Sequence, residues 1–189
     1  MKRRLVAGLA AIVAATATIL TASGAAAATP DVATAGAPGA SANSKLPVAI
    51  QVDETQNKVV ASFVGIGKQV YDCNATGTAF TFREPVAGLL SRGVQAAIHG
   101  KGPFWASFDG SHVDGSGAVS PPASPAYTDL TKNVPWLRLV GKPTGASGVF
   151  SKVAFIQRID THGGVAPGTC SAPSTIAVDY TANYVFWAQ

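Results

Sequence analysis

Three histidines, two cysteines and ten carboxylates are the groups in this chain from which a catalytic or metal site would have to be built. His99, His112 and His162 stand far apart, with none two or four residues from another. A metal site needs several such ligands converging, and barrel metal sites usually show an HxH pair. No CxxC or CxH spacing accompanies Cys73 or Cys170, so no metal and no cofactor is expected. A serine hydrolase of the α/β type needs GxSxG on a strand-to-helix elbow, where the nucleophile projects from a tight turn. The nearest strings, Gly145-Ala146-Ser147-Gly148 and Gly115-Ser116-Gly117, lack that pattern. A dinucleotide fingerprint needs GxGxxG leading into a helix, and Gly65-Ile66-Gly67-Lys68-Gln69-Val70 fails at its last position. Glycoside hydrolysis needs two carboxylates at a set separation. Beyond residue 28 the chain offers Glu54, Glu84 and eight Asp, and spacing selects no pair among them.

A hydrolytic arrangement stays open, with His99 or His162 as base and Asp109 or Asp160 as partner. The aromatic residues Trp105, Trp136, Trp187, Tyr71, Tyr127, Tyr180 and Tyr184 suit either a core or a sugar-stacking surface. Arg158 lies within an apolar run. A charge there is costly unless it reaches solvent, a carboxylate or an anionic ligand. Asp109-Gly110 is a hairpin turn signal between Phe104–Phe108 and Ser111–Val113.

The elements that must position these groups are mostly strands. Residues 46–52, 59–63, 69–73, 79–83, 94–99, 104–108, 111–113, 136–140, 149–159, 176–180 and 183–187 show period-two or β-rich patterning. They amount to about nine or ten strands at short spacing, with glycines 65 and 67 as a break between two of them. The run 149–159 has apolar residues on both faces, as in a strand covered on both sides. Glu84 to Leu90 is the only helical candidate, of one or two turns. The expected class is all-β: a single-domain antiparallel sandwich or barrel with at most one short helix.

Residues 1–28 carry a basic start at Lys2 to Arg4, an apolar run and a small-residue end, the layout of a cleaved secretory signal. Residues 29–44 are rich in Ala, Gly, Ser and Pro and read as a flexible leader. The β domain then spans residues 45–189. The formal charge of +4 rests on the leading segment: 14 basic residues less those three leave 11 against 10 acidic. Nucleic-acid binding is therefore not expected, nor a membrane span once the signal is removed. In an oxidising compartment Cys73 and Cys170 are expected to form a bridge.

Several strings occur in a familiar order: Gln69-Val70-Tyr71-Asp72-Cys73; His99-Gly100-Lys101-Gly102-Pro103-Phe104-Trp105; Phe108-Asp109-Gly110-Ser111; and Val134-Pro135-Trp136-Leu137. Gly148-Val149-Phe150 follows, then Val153, Ile156-Gln157-Arg158, Thr161, Gly163-Gly164 and Pro167, and the close Tyr180-Thr181-Ala182-Asn183-Tyr184-Val185-Phe186. Together they resemble a family of secreted bacterial and fungal proteins (domain of unknown function 3455), some of whose members bear a malate dehydrogenase label. The resemblance covers about Leu46 to Trp187. It implies an extracellular single-domain protein with the Cys73–Cys170 bridge, and no catalytic role for any residue. This chain lacks a dinucleotide fingerprint and is far shorter than the usual two-domain dehydrogenase, which argues against that label.

The expectation is a secreted β domain that binds an extracellular ligand, such as a glycan or cell-surface component, through His99, Trp105, Asp109 and Arg158. The alternatives are an extracellular hydrolase using a His/Asp pair, and a structural surface protein without a ligand.

Overall fold

The computed structural model describes residues 40–171 and 173–189. The expected signal at 1–28 and most of the leader lie outside them. Eight strands follow in chain order: β1 (Lys58–Cys73), β2 (Phe80–Ser91), β3 (Val94–Gly100), β4 (Phe104–Ser107), β5 (His112–Val119), β6 (Leu137–Pro143), β7 (Val153–Gly163) and β8 (Thr175–Ala188). Each pairs antiparallel with the next, and β8 returns to β1, closing an up-and-down barrel. Closure leaves no unpaired edge, which separates this fold from the sandwich considered above.

Four sequence expectations need correction. Gly65 and Gly67 do not end a strand; they lie inside the sixteen-residue β1. A Cβ at Gly65 would stand 2.6 Å from the Tyr184 ring, and one at Gly67 would stand 2.6 Å from Ala87 Cβ. Gly65 is small because the Tyr184 ring crosses the interior there, and Gly67 because the β2 backbone at Val86 and Ala87 approaches it closely. The segment 176–187 is likewise one strand, so eight strands replace the nine or ten expected. Glu84 to Leu90 is not helical. It belongs to β2, with Ala87 and Leu89 buried and Val86 exposed, the period-two pattern of a strand.

Residues 46–52 were expected to form a strand but pair with none. Pro47 precedes a 3-10 turn at Val48–Ile50, and the segment lies against the outer face of β7 and β8. There Ile50 and Val52 pack with Ile159, Val185 and Trp187. Gln157, 1% exposed, pins it from β7: its Nε2 donates to Asn43 Oδ1 at 2.9 Å and to Ile50 O at 2.7 Å. Its Oε1 accepts from Trp187 Nε1 at 2.8 Å. Asn43, which the sequence assigns to the leader, is thus buried at the seam. This covering explains why β7 is apolar on both faces.

The interior is divided along its axis. One end is filled by apolar rings, with Phe150 0% exposed and its centroid 4.6 Å from Phe186 and 6.0 Å from Phe63. The other end, ringed by the β1–β2, β3–β4, β5–β6 and β7–β8 connections, holds polar side chains. Cys73 and Cys170 are joined there, tying the end of β1 to the β7–β8 loop across a separation of 97 residues.

A polar barrel mouth as candidate functional site

His99 and Trp105 reach the interior as register partners across the β3–β4 hairpin. Their rings stack at 4.4 Å with 3° between planes. Tyr184 of β8 meets both edge-on, at 5.3 Å from His99 and 5.9 Å from Trp105. His99 Nδ1 lies 2.8 Å from Phe104 O. A carbonyl only accepts, so Nδ1 carries the proton and Nε2 presents its lone pair. Burial holds the imidazole neutral, with its pKa lowered to about 4; the Phe104 carbonyl opposes the shift and the charge of Arg158 adds to it.

Arg158 stands opposite Tyr184 on one side and Leu137 of β6 on the other. Its Nε and one terminal nitrogen donate to Pro135 O at 3.2 and 2.9 Å. No ion pair engages it among the described residues. Alternation with the core residue Ile156 and register with Tyr184 place half-buried Arg158 on the inner face, where its charge opposes the upward shifts that burial imposes on the phenols of Tyr71, Tyr180 and Tyr184. Tyr180 and Tyr184, four residues apart and so on one face of β8, share a hydroxyl–hydroxyl hydrogen bond of 3.2 Å.

Two buried donors beside these rings lack partners among the described residues: Trp105 Nε1 and Gln69 Nε2. Gln69 is 2% exposed and, like Tyr180, packs against Gly164. A buried donor without an acceptor costs about 1–3 kcal/mol, so each such group calls for an explanation.

The loop before β6 lies against this end. Val134 N donates to Gly163 O at 2.9 Å, Gly163 N to Asn133 Oδ1 at 2.7 Å, and Thr161 Oγ1 to Val134 O at 2.6 Å. A cleft of about 450 Å³ opens where β2 runs on past the end of β3, lined by Pro85, His99 and Phe104 together with the outward-facing Val86, Gln95 and Ile98, so it lies on the outer side of the hairpin.

The structure thus unites His99, Trp105 and Arg158 and leaves Asp109 apart. Asp109 sits in the β4–β5 turn, at the opposite end of the barrel. Its carboxylate accepts from Ser111 N (2.8 Å), Ser111 Oγ (2.6 Å) and Val149 N (2.8 Å), which holds its pKa at about 2. Ser111 Oγ in turn accepts from Phe150 N at 3.0 Å. Asp109 therefore anchors the loop that carries the Phe150 plug. Of the His/Asp combinations only His162 with Asp160 forms, at 3.5 Å between two exposed side chains, while His99 contacts the Phe104 carbonyl.

Sequence reasoning missed Gln69, Tyr180 and Tyr184 as members of this cluster. The alternation Tyr180, Ala182, Tyr184, Phe186 was a readable signal for one inward face. Gln69 was hidden because Gly65 and Gly67 looked like a break.

These features define a closed eight-stranded antiparallel barrel, plugged by apolar rings at one end and lined by a cation, an imidazole and phenols at the other. The family model described as "Protein of unknown function (DUF3455)" matches residues 93–188, and the chain belongs to that family. The match spans β3 to β8 and includes His99, Trp105, Arg158, Tyr180 and Tyr184. Comparison with curated proteins and with solved structures gives no match.

Proposed function

We propose that the protein is an extracellular ligand-binding barrel that takes a small, oxygen-rich ligand at its mouth, such as a glycan fragment or other cell-surface component. The observation that carries this reading is the pair of buried donors, Gln69 Nε2 and Trp105 Nε1, beside a guanidinium, with neither a hydrogen-bond acceptor for the donors nor an ion pair for the guanidinium among the described residues. Barrel interiors that bind ligands combine aromatic walls with a few placed polar groups, and the mouth has that composition. Trp105 is 1% exposed and already stacked on His99, so it serves as wall and donor rather than as an open sugar-stacking platform.

The test is a thermal-shift and calorimetric screen of the oxidised protein against neutral and acidic oligosaccharides and solubilised cell-wall fragments. Saturable binding that Tyr184→Phe weakens and Asp109→Ala leaves unchanged supports the mouth as the site. Binding lost in Asp109→Ala but kept in Tyr184→Phe, or no binding across the screen, contradicts it.

A further inference from the structure

We infer that the group recognised at the mouth is a carboxylate, with Arg158 as its charge partner; this rests on the reading of the mouth as a ligand site. Arg158 makes two hydrogen bonds, both to the single carbonyl of Pro135, and its second terminal nitrogen makes none among the described residues. A carbonyl is a weak complement to a guanidinium, whose fork geometry suits a carboxylate. The polar side chains around it inside the barrel are Gln69, Tyr71, His99, Trp105, Tyr180 and Tyr184, and none is anionic. Glu84, which lines the cleft beside His99, is already paired with Arg83 at 2.9 Å.

The neighbouring polar groups are tuned the same way. His99 is neutral, and the buried phenols resist ionisation, so neither adds a negative charge that would compete for Arg158. Gln69 Nε2 and Trp105 Nε1 are donors in want of acceptors, and each belongs to a side chain packed beside the Tyr180–Tyr184 pair that Arg158 reaches. A guanidinium with no counter-ion among the described residues, beside the unpartnered Trp105 Nε1 donor, complements an anion of two oxygens. A neutral polyol could use the acceptors His99 Nε2 and the tyrosine hydroxyls but would leave the Arg158 charge without a counter-charge. The carboxylate has two possible sources, a free organic acid or an acidic sugar.

The experiment is isothermal titration of the oxidised full domain with three probes: glucuronate, glucose and succinate. Glucuronate is expected to bind at least about tenfold more tightly than glucose, which differs at the carboxyl position, as one charge-assisted hydrogen bond implies. Succinate binding with weak glucuronate binding assigns a free acid; the reverse assigns an acidic sugar. Arg158→Gln should weaken the preferred probe about tenfold or more, with Arg158→Lys intermediate. Gln69→Leu gives a second variant that spares the Pro135 contact, with an expected loss of severalfold. Equal affinity for glucose and glucuronate, with no tighter binding of succinate, overturns the carboxylate inference and leaves the mouth as a neutral-ligand site. Failure of all three probes also overturns it, while the wider screen above decides whether the mouth binds anything.

Discussion

His99 and Trp105 stack face to face at 4.4 Å, held in register by the β3–β4 ladder and backed edge-on by Tyr184. This stack is the boundary between the packed half of the barrel and its polar half. Trp105 also touches Phe186 at 5.9 Å, which belongs to the apolar end. Trp105→Ala should therefore cost about 3–5 kcal/mol, the usual range for deleting a buried large aromatic ring. Urea unfolding would measure it, and a loss below about 1 kcal/mol would show that the stack is not part of the core.

The buried imidazole gives stability a defined pH dependence. The pKa of His99 is about 4 in the fold against an ordinary 6.5, so the unfolded chain binds this proton first as pH falls. The stabilisation is complete above 6.5 and is lost as pH drops through 4. The gap corresponds to about 3 kcal/mol at its low-pH limit. Unfolding free energies measured from pH 7 to 4 should fall along this course, and His99→Phe should flatten the slope. An NMR titration showing His99 protonated at pH 6 would contradict it.

The Cys73–Cys170 bridge closes a 97-residue separation and joins two loops of the mouth. Chain entropy for a loop of about 100 residues gives up to roughly 4.7 kcal/mol. Reduction should lower the denaturation midpoint substantially, and the β1–β2 and β7–β8 loops should exchange amide protons faster than the plugged end. A uniform change across the barrel would contradict this local role.

Gly65→Ala places a methyl 2.6 Å from the Tyr184 ring, whereas Gly168→Ala meets nothing within 4 Å. The first should destabilise the barrel by about 1–3 kcal/mol, the usual cost of overpacking, and shift the His99 resonances. The second should leave both unchanged. Thermal unfolding and histidine NMR of the two variants compare them directly.

Much of the architecture was legible. Period-two patterning located β3 and the β4–β5 turn closely, and the two-faced apolarity of 149–159 announced a covered strand at β7. The Cys73–Cys170 bridge was expected from the signal-like layout of residues 1–28 and from the family resemblance, and the structure shows it. What misled was local: glycines that serve close packing inside β1 look the same in sequence as glycines that end a strand. Residues 46–52 alternate like a strand because they line an outer apolar face, yet Pro47 and the lack of a partner keep them out of the sheet. Of the candidate site, Arg158 was readable because a charge in an apolar strand needs a reason. Asp109 shared a motif with His99 and Trp105 but lies one strand length away, at the other barrel end. Chain proximity cannot distinguish the two ends of a hairpin.

The three tryptophans report separately on three places: Trp105 inside the mouth, Trp136 just before β6, and Trp187 on the covered outer face. Indole N–H resonances of 15N-labelled protein, followed during titration with glucuronate or succinate, therefore locate any binding. The account predicts that the Trp105 signal moves saturably, the Trp187 signal stays fixed, and Arg158→Gln abolishes the Trp105 shift. A saturable change at Trp187 with Trp105 unmoved would place the ligand elsewhere and contradict the mouth as the binding site.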